Sequence, residues 1–277
     1  MISVAKPLSR PMRVNLKPSS SRNRLDKKMN QKSGQRPIDF DPKWDDETET
    51  ASYFETLKTH QEASQRELIS RNKEPEELAY CLADAAHSLA LQFFEQVGND
   101  FETSCKSGCS YCCHQPATVF AFEAIRIARE LKNSLTSDDL KFLEETMVAR
   151  VNDFKGSSVG KQINNKAACP LLTNHQCSVY ASRPLTCRLA HSFSVKKCRQ
   201  AFEKDRNLVQ IPVALELLSA VSGIIEAVYG GLPGAKLDAN LYELSSAVLV
   251  ALSQPDAASK WASGDRSIFR NCIKDDT

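Results

Sequence analysis

Two blocks of cysteines dominate this chain. The first block, in the segment CKSGCSYCCH, has the spacing C-x3-C-x2-C-C and consists of Cys105, Cys109, Cys112 and Cys113. The second block, in the segment CPLLTNHQCSVYASRPLTC, consists of Cys169, Cys177 and Cys187. Thiols concentrated in this way serve metal binding, cross-linking or redox chemistry, and each of these uses requires the two segments to adopt a defined structure.

The redox environment helps to separate these uses. Ten cysteines among 277 residues could pair as disulfides only in an oxidising compartment, which requires export. The first thirty residues contain no apolar run followed by a cleavage site of the kind found in signal peptides. The longest apolar stretch, residues 211–233, is interrupted by Glu216 and Glu226 and does not predict a membrane span. We therefore expect a cytoplasmic protein without a membrane segment, whose reduced thiols bind metal.

The composition before residue 50 differs from that of the rest. The first 36 residues carry ten Lys or Arg and one acidic residue, and residues 39–50 hold six acidic residues. Neither part has a periodic apolar stripe, so we predict that residues 1–50 form a disordered tail, first basic and then acidic. The basic part has no aromatic residues for base stacking, so we do not expect nucleic-acid binding, although the tail could recruit a protein partner.

The remaining residues, 51–277, are predicted to form a single helical domain with a motif core at 105–198. Apolar residues recur at helical spacing in five segments, which begin near Leu78, Phe120, Leu140, Val213 and Leu244. Ser137 is predicted to cap the third helix, and NLYE from Asn240 has the pattern of a capping box for the fifth. The pattern predicts a mainly α fold, in which cysteine-rich metal-binding loops connect the helices of a small domain.

Thiolates are ligands for zinc, which takes four of them tetrahedrally, and for iron-sulfur clusters. Pro184 is predicted to be the first residue of a helix, which places Cys187 in the first helical turn, where free backbone amides favour a thiolate. Arg183 and Arg188 could offset the negative charge of several thiolates, or could be ordinary surface cations.

The two blocks together resemble the zinc- or iron-chelating domain family called CxxCxxCC or YkgJ. Its members have a cysteine-rich first block followed by C-P-x-L…C-x-[IV]-Y-x-x-R-P-x-x-C-R, and the resemblance covers residues 105–188. It implies zinc or iron as cofactor, including an iron-sulfur cluster. The ligands that it implies are Cys105, Cys109, Cys112, Cys113, Cys169, Cys177 and Cys187, with Arg183, Pro184 and Arg188 as companions.

One branch of that family consists of flagellin lysine N-methylases, which are associated with an iron-sulfur cluster and S-adenosylmethionine. This chain is shorter than those enzymes, so the methylase activity is not carried over. Two functions therefore remain open: a metal-binding protein, and an iron-sulfur-dependent group-transfer enzyme such as a protein lysine N-methylase. The spacing C-x3-C-x2-C also occurs in radical S-adenosylmethionine enzymes, but here no strand precedes it and no β/α barrel pattern follows.

Seven cysteines exceed the four ligands of one zinc site. The adjacent residues Cys112 and Cys113 point in different directions and would rarely serve one ion together. A multinuclear centre, two separate sites, or one site with a spare thiol would each account for the surplus. We expect the two blocks to close on one another and to share one centre or a pair of adjoining ones.

The other ligand-type residues give weaker indications. His114 and His191 lie near cluster cysteines and could be ligands or proton carriers, although a surface or hydrogen-bonded role is the default. Cys81 lies on an apolar stripe and is interpreted as a small hydrophobic residue. Cys198, in the basic segment KKCRQ, could be a late ligand or a reactive thiol. Cys272 has no predicted role.

Overall fold

The computed structural model describes residues 47–72, 74–97, 103–106, 108–155, 159–204, 208–213 and 215–272. The predicted tail lies outside the described residues up to residue 46. The first described helix begins at Glu47 and so includes the last four residues of the predicted tail. None of the described helices combines the length and the apolar character that crossing a membrane requires.

The structure is mainly helical, as predicted. The helices are α1 Glu47–Arg71, α2 Pro75–Val97, α3 Ala121–Ser134, α4 Ser137–Phe154, α5 Val159–Asn164, α6 Leu185–Leu189, α7 Val195–Glu203, α8 Leu215–Gly234, α9 Leu244–Ser253 and α10 Ala257–Ala262. Short 3-10 helices span Tyr111–His114 and Tyr180–Ser182. The strands are β1 Thr118–Phe120, β2 Leu172–Thr173, β3 Gln176–Cys177 and β4 Leu241–Glu243.

All five predicted helices are present, but two of the predicted starts are wrong. Thr136, not Ser137, caps α4, because its side chain accepts a hydrogen bond from the Asp139 amide at 3.2 Å. The predicted capping box from Asn240 is strand β4 instead. The helix that follows begins only at Leu244, and Glu243 caps it by accepting a hydrogen bond from the Ser246 amide at 2.8 Å.

Strands β1 and β4 explain why that start is shifted. They pair antiparallel, with Val119 opposite Tyr242 and Phe120 opposite Leu241. Each strand leads directly into a helix, β1 into α3 and β4 into α9, so the pairing holds these two helices side by side. A contact between residues so far apart in sequence leaves no local signal for the capping pattern to reveal.

The core forms around α3, whose first eight residues are all buried. Helix α3 packs against α2, α9 and α10, and α4 covers the other side of α9. The largest buried side chains stack at this centre: the rings of Phe120 and Phe122 lie 5.4 Å apart, and Trp261 lies 6.2 Å from Phe122. Burial of each such side chain stabilises the fold by about 2 kcal/mol.

Helix α1 packs along α8 and buries Leu57 completely. Helix α8 continues through the segment GGLPG to Gly234. A Cβ atom on Gly231 would lie 1.6 Å from the Gln65 side-chain oxygen of α1. Gly231 therefore permits the close approach of two helices, and it does not act as a helix terminator.

Candidate metal centre

The first cysteine block is folded by a turn and a short 3-10 helix. Gly108 has φ +87°, a conformation that glycine adopts without strain, and the Cys109 amide donates to the Lys106 carbonyl at 3.0 Å. The 3-10 helix that follows carries Cys112 and Cys113. The chain thus reverses between Cys105 and Cys109 and brings the four thiols of the block into one short segment.

The second block is folded by the hairpin of β2 and β3. Its two turn residues, Asn174 and His175, have φ values of 51° and 62°, and two consecutive positive values are what a type I′ hairpin turn requires. The hairpin pairs Leu172 with Cys177. The Leu172 amide donates to the Cys169 carbonyl at 2.9 Å, so the hairpin returns Cys177 towards Cys169.

The two blocks are in direct contact. The Cys169 amide donates a hydrogen bond to the Cys113 carbonyl at 2.7 Å. A second contact joins the side chains of Ser110 and His175, which are hydrogen-bonded at 3.1 Å. A hydrogen bond with Cys112, then burial, then charges that include those of Cys169 and Cys187 raise the pKa of the Cys113 thiol. The ionisation of thiols in the second block therefore affects the pKa of a thiol in the first block.

Cys177 and Cys187, the remaining cysteines of the second block, lie among the same thiols. Burial raises the pKa of Cys169 to about 12, and the charge on Cys177 acts in the same direction. Burial, followed by the charges on Cys169, Cys112 and Cys177, raises the pKa of Cys187. Only Cys105, Cys109 and Cys169 of the seven predicted ligands lie in loops, so the predicted cysteine-rich loops are in part short helices and a strand.

Cys187 lies in α6, which is anchored by a buried carboxylate. Glu123, 1% exposed, accepts a hydrogen bond from the Leu185 amide at the start of α6 at 2.7 Å. The same carboxylate is 2.7 Å from His87 Nε2, and Arg126 lies 3.2 Å from His87 Nδ1. An arginine can only donate, so Nδ1 accepts, and the neutral imidazole donates from Nε2 to Glu123.

Cations surround the second block. Arg150, 5% exposed, faces Cys169 and acts against the effect of burial on the pKa of that thiol. Burial raises the pKa of Cys177, and Arg183 and Arg188 act in the opposite direction. In the part of the chain that the structure describes, the buried Nε atoms of Arg183 and Arg188 have no hydrogen-bond partner. These cations are placed to stabilise negative charge on the thiols.

The histidines near the cysteines have other contacts. His114 Nδ1 donates to the Lys166 carbonyl at 3.0 Å, and its ring lies 4.7 Å from that of Phe202. The ring of His191 lies 6.3 Å from Phe193. Packing thus engages both rings, and a hydrogen bond also holds His114.

All ten cysteines lie within the described residues, and none forms a disulfide. Among those residues, no three Cys, His, Asp or Glu side chains are already arranged around a common point to hold an ion. The set of thiol donors nevertheless fits a metal. Neighbouring thiols raise one another's pKa, which makes each thiolate costly to form, and a cation that binds the thiolates would offset that cost. To bind an ion, the thiols would have to move closer to one another.

One comparison with known proteins gives a match. Residues 104–207 match the model of the CxxCxxCC family, described as a "putative zinc- or iron-chelating domain". Over this segment, which is less than half of the chain, the protein is similar to the CxxCxxCC family. The matched residues include both cysteine blocks and also Cys198. No curated protein and no solved structure matches the chain.

Two buried charged residues beside the cysteines were not predicted from the sequence. Arg150 follows Met147 by three residues on the buried face of α4, and Glu123 lies among apolar residues on the buried face of α3. A charged residue at a position that the helical period assigns to the core is the signal that could have identified both.

Proposed function

We propose that this protein binds zinc or iron through thiolates from both cysteine blocks. The observation that carries the proposal is the 2.7 Å hydrogen bond from the Cys169 amide to the Cys113 carbonyl, because it brings ligand-rich segments of different parts of the chain together. The description of the matched family, a zinc- or iron-chelating domain, supports the same function.

Electrostatics favour a cation at this position. Several thiolates close together repel one another, and burial adds to the cost of ionising them. A metal ion offsets both costs and releases the thiol protons as it binds. Arg150, Arg183 and Arg188 would then reduce the net negative charge that a ligand set of thiolates leaves around the metal.

The ligand chemistry limits the choice of metal. Sulfur ligands select zinc or iron-sulfur clusters over magnesium and calcium, which require oxygen. Because ligation requires reduced thiols, we place the protein in the cytoplasm. We do not propose a group-transfer enzyme, since the matched family model describes a chelating domain and no reaction.

The test is elemental analysis of the full chain purified without oxygen. We expect at least one zinc or iron per chain; a brown protein absorbing near 400 nm would identify an iron-sulfur cluster, and a colourless one would identify zinc. Cys109→Ser and Cys187→Ser should each lower metal content and stability together, by several kcal/mol for a structural site. The control Cys81→Ser, in α2, should leave metal content unchanged. A folded, metal-free protein with ten titratable thiols would refute the proposal.

A further inference from the structure

Cys198 is not one of the seven cysteines that the resemblance implies as ligands, yet the structure places it beside the first block. The Ser104 amide donates to the Ser192 carbonyl at 2.8 Å, and the Ser104 hydroxyl donates to the Phe193 carbonyl at 2.8 Å. These two hydrogen bonds hold the residues next to Cys105 against the segment that leads into α7. Cys198 lies in the first turns of α7.

The orientation of α7 directs Cys198 towards the other thiols of the first block. Phe202 follows Cys198 by four residues, so both side chains lie on the same face of the helix. The Phe202 ring packs 4.7 Å from that of His114 and 6.0 Å from that of Tyr111. These two residues bound the 3-10 helix that carries Cys112, and the face of α7 that bears Cys198 therefore meets that helix.

Two contacts give the same grouping. The Cys105 thiol lies 4.0 Å from the Ser192 carbonyl, in the segment that leads into α7. Helix α7 itself packs against the 3-10 helix that carries Cys112. The first block and Cys198 are therefore neighbours in the fold.

The adjacent residues Cys112 and Cys113 divide the cysteines into two sets. Successive side chains of a 3-10 helix point about 120° apart, because the helix has three residues per turn. Cys113 is joined to the second block by its own carbonyl, which accepts a hydrogen bond from the Cys169 amide at 2.7 Å. Cys112 can thus bind a metal together with the first block, and Cys113 can bind a metal together with the second block.

We propose, on the basis of the metal-binding function above, that the eight cysteines form two adjoining four-thiolate sites with Cys198 as the eighth ligand. One site consists of Cys105, Cys109, Cys112 and Cys198. The other consists of Cys113, Cys169, Cys177 and Cys187. Four thiolates are the complete ligand set of a structural zinc ion or of an iron-sulfur cluster, so this division leaves no surplus thiol in the two blocks.

The first experiment counts zinc bound by the full chain after reconstitution with zinc sulfate. We expect two zinc ions per wild-type chain, one in Cys198→Ser, one in Cys187→Ser, and two in the control Cys81→Ser. A wild-type protein that binds no metal would refute the proposed function itself. Metal binding that is lost in Cys187→Ser but unchanged in Cys198→Ser would preserve the proposed function and overturn the two-site assignment.

A second measurement does not depend on the folding of a variant. Zinc is titrated into the wild-type chain, which is then alkylated and analysed by mass spectrometry. We expect Cys198 and Cys105 to become protected at the same zinc ratio, while Cys81 remains reactive. Full alkylation of Cys198 at saturating zinc would overturn the assignment even if Cys198→Ser fails to fold.

Discussion

The Glu123 carboxylate accepts a hydrogen bond from the Leu185 amide at 2.7 Å, two residues before Cys187. The same carboxylate accepts from the Phe120 amide at 3.1 Å, and thereby joins the start of α3 to the start of α6. Cys187 therefore has its position set by a side chain of another helix, and not by the five residues of α6 alone.

Glu123→Gln should destabilise the protein and lower its metal content. The carboxylate accepts three hydrogen bonds, from His87, Leu185 and Phe120, whereas a glutamine presents one oxygen and turns a donor towards other donors. The expected cost is about 2–4 kcal/mol. Urea denaturation and zinc content are the measurements. The matched control Glu145→Gln, on the exposed face of α4, should change neither, and equal behaviour of the two variants would contradict the anchoring role.

His87 should make stability depend on pH below neutrality. Burial lowers its pKa to about 4 in the folded protein, against the effect of Glu123 and in the same direction as Arg188 and Arg126. Below about pH 6.5 the His87 imidazole is protonated in the unfolded chain but stays neutral in the folded chain. The free energy of unfolding therefore falls as pH decreases from about 6.5 towards 4. Between pH 7.5 and 5 the loss should be on the order of 2 kcal/mol.

The measurement is urea denaturation at the two pH values for the wild type and for His87→Gln. Acid also protonates metal ligands, but this effect is common to both proteins. The difference between their pH dependences therefore isolates His87. Identical dependences would show that His87 is not buried as a neutral group.

Gly231→Ala should destabilise the contact between α1 and α8 by about 1–3 kcal/mol, because the added Cβ atom overlaps the buried Gln65 side chain. In a Gln65→Ala background the same substitution should become neutral or stabilising, since alanine is the better helix former. Gly234→Ala is the control, because no atom lies within 4 Å of its added Cβ atom. Thermal melting of the four-member cycle checks this, and simple additivity would contradict it.

Truncation should distinguish the tail from α1. Composition predicts that removing residues 1–46 has little effect on the melting temperature. Removing residues 1–72 also deletes α1 and uncovers the face of α8 against which α1 packs, and the burial of Leu57 alone contributes about 2 kcal/mol. Thermal melting of the three chain lengths is the measurement. A similar melting temperature for all three would show that α1 is dispensable.

Sequence analysis predicted those parts of the fold that depend on local pattern. The apolar stripe through Leu78 and Leu82 predicted α2. Pro184 predicted a helix with Cys187 in its first turn, although Pro184 is the N-cap and the first helical residue is Leu185. Helix α1 was missed because its sequence is predominantly polar, with few buried apolar side chains such as Leu57, and because it packs against α8. Such a contact depends on a partner more than a hundred residues away, which no local pattern contains.

The same distinction applies to the candidate centre. Spacing and residue type identified the thiols, since they are intrinsic to each block. The relation of Cys198 to Cys105 was not predicted, because it depends on the pairing of Ser104 with Ser192, which forms only when distant segments meet. The buried Arg150 was missed because a charged residue is typical of an exposed helix position, although it follows the buried Met147 by three residues.

Strand β1 lies within the segment that matches the family, and its partner β4 lies outside it, at residues 241–243. A fragment cut at residues 104 and 207 would retain every proposed ligand but would leave β1 unpaired and the face of α3 that meets α9 exposed to water. The length of chain that a cysteine pattern recognises is therefore shorter than the length that folds. We expect a relative that keeps these cysteines on a different flanking sequence to cover β1 and α3 with other elements in place of β4 and α9.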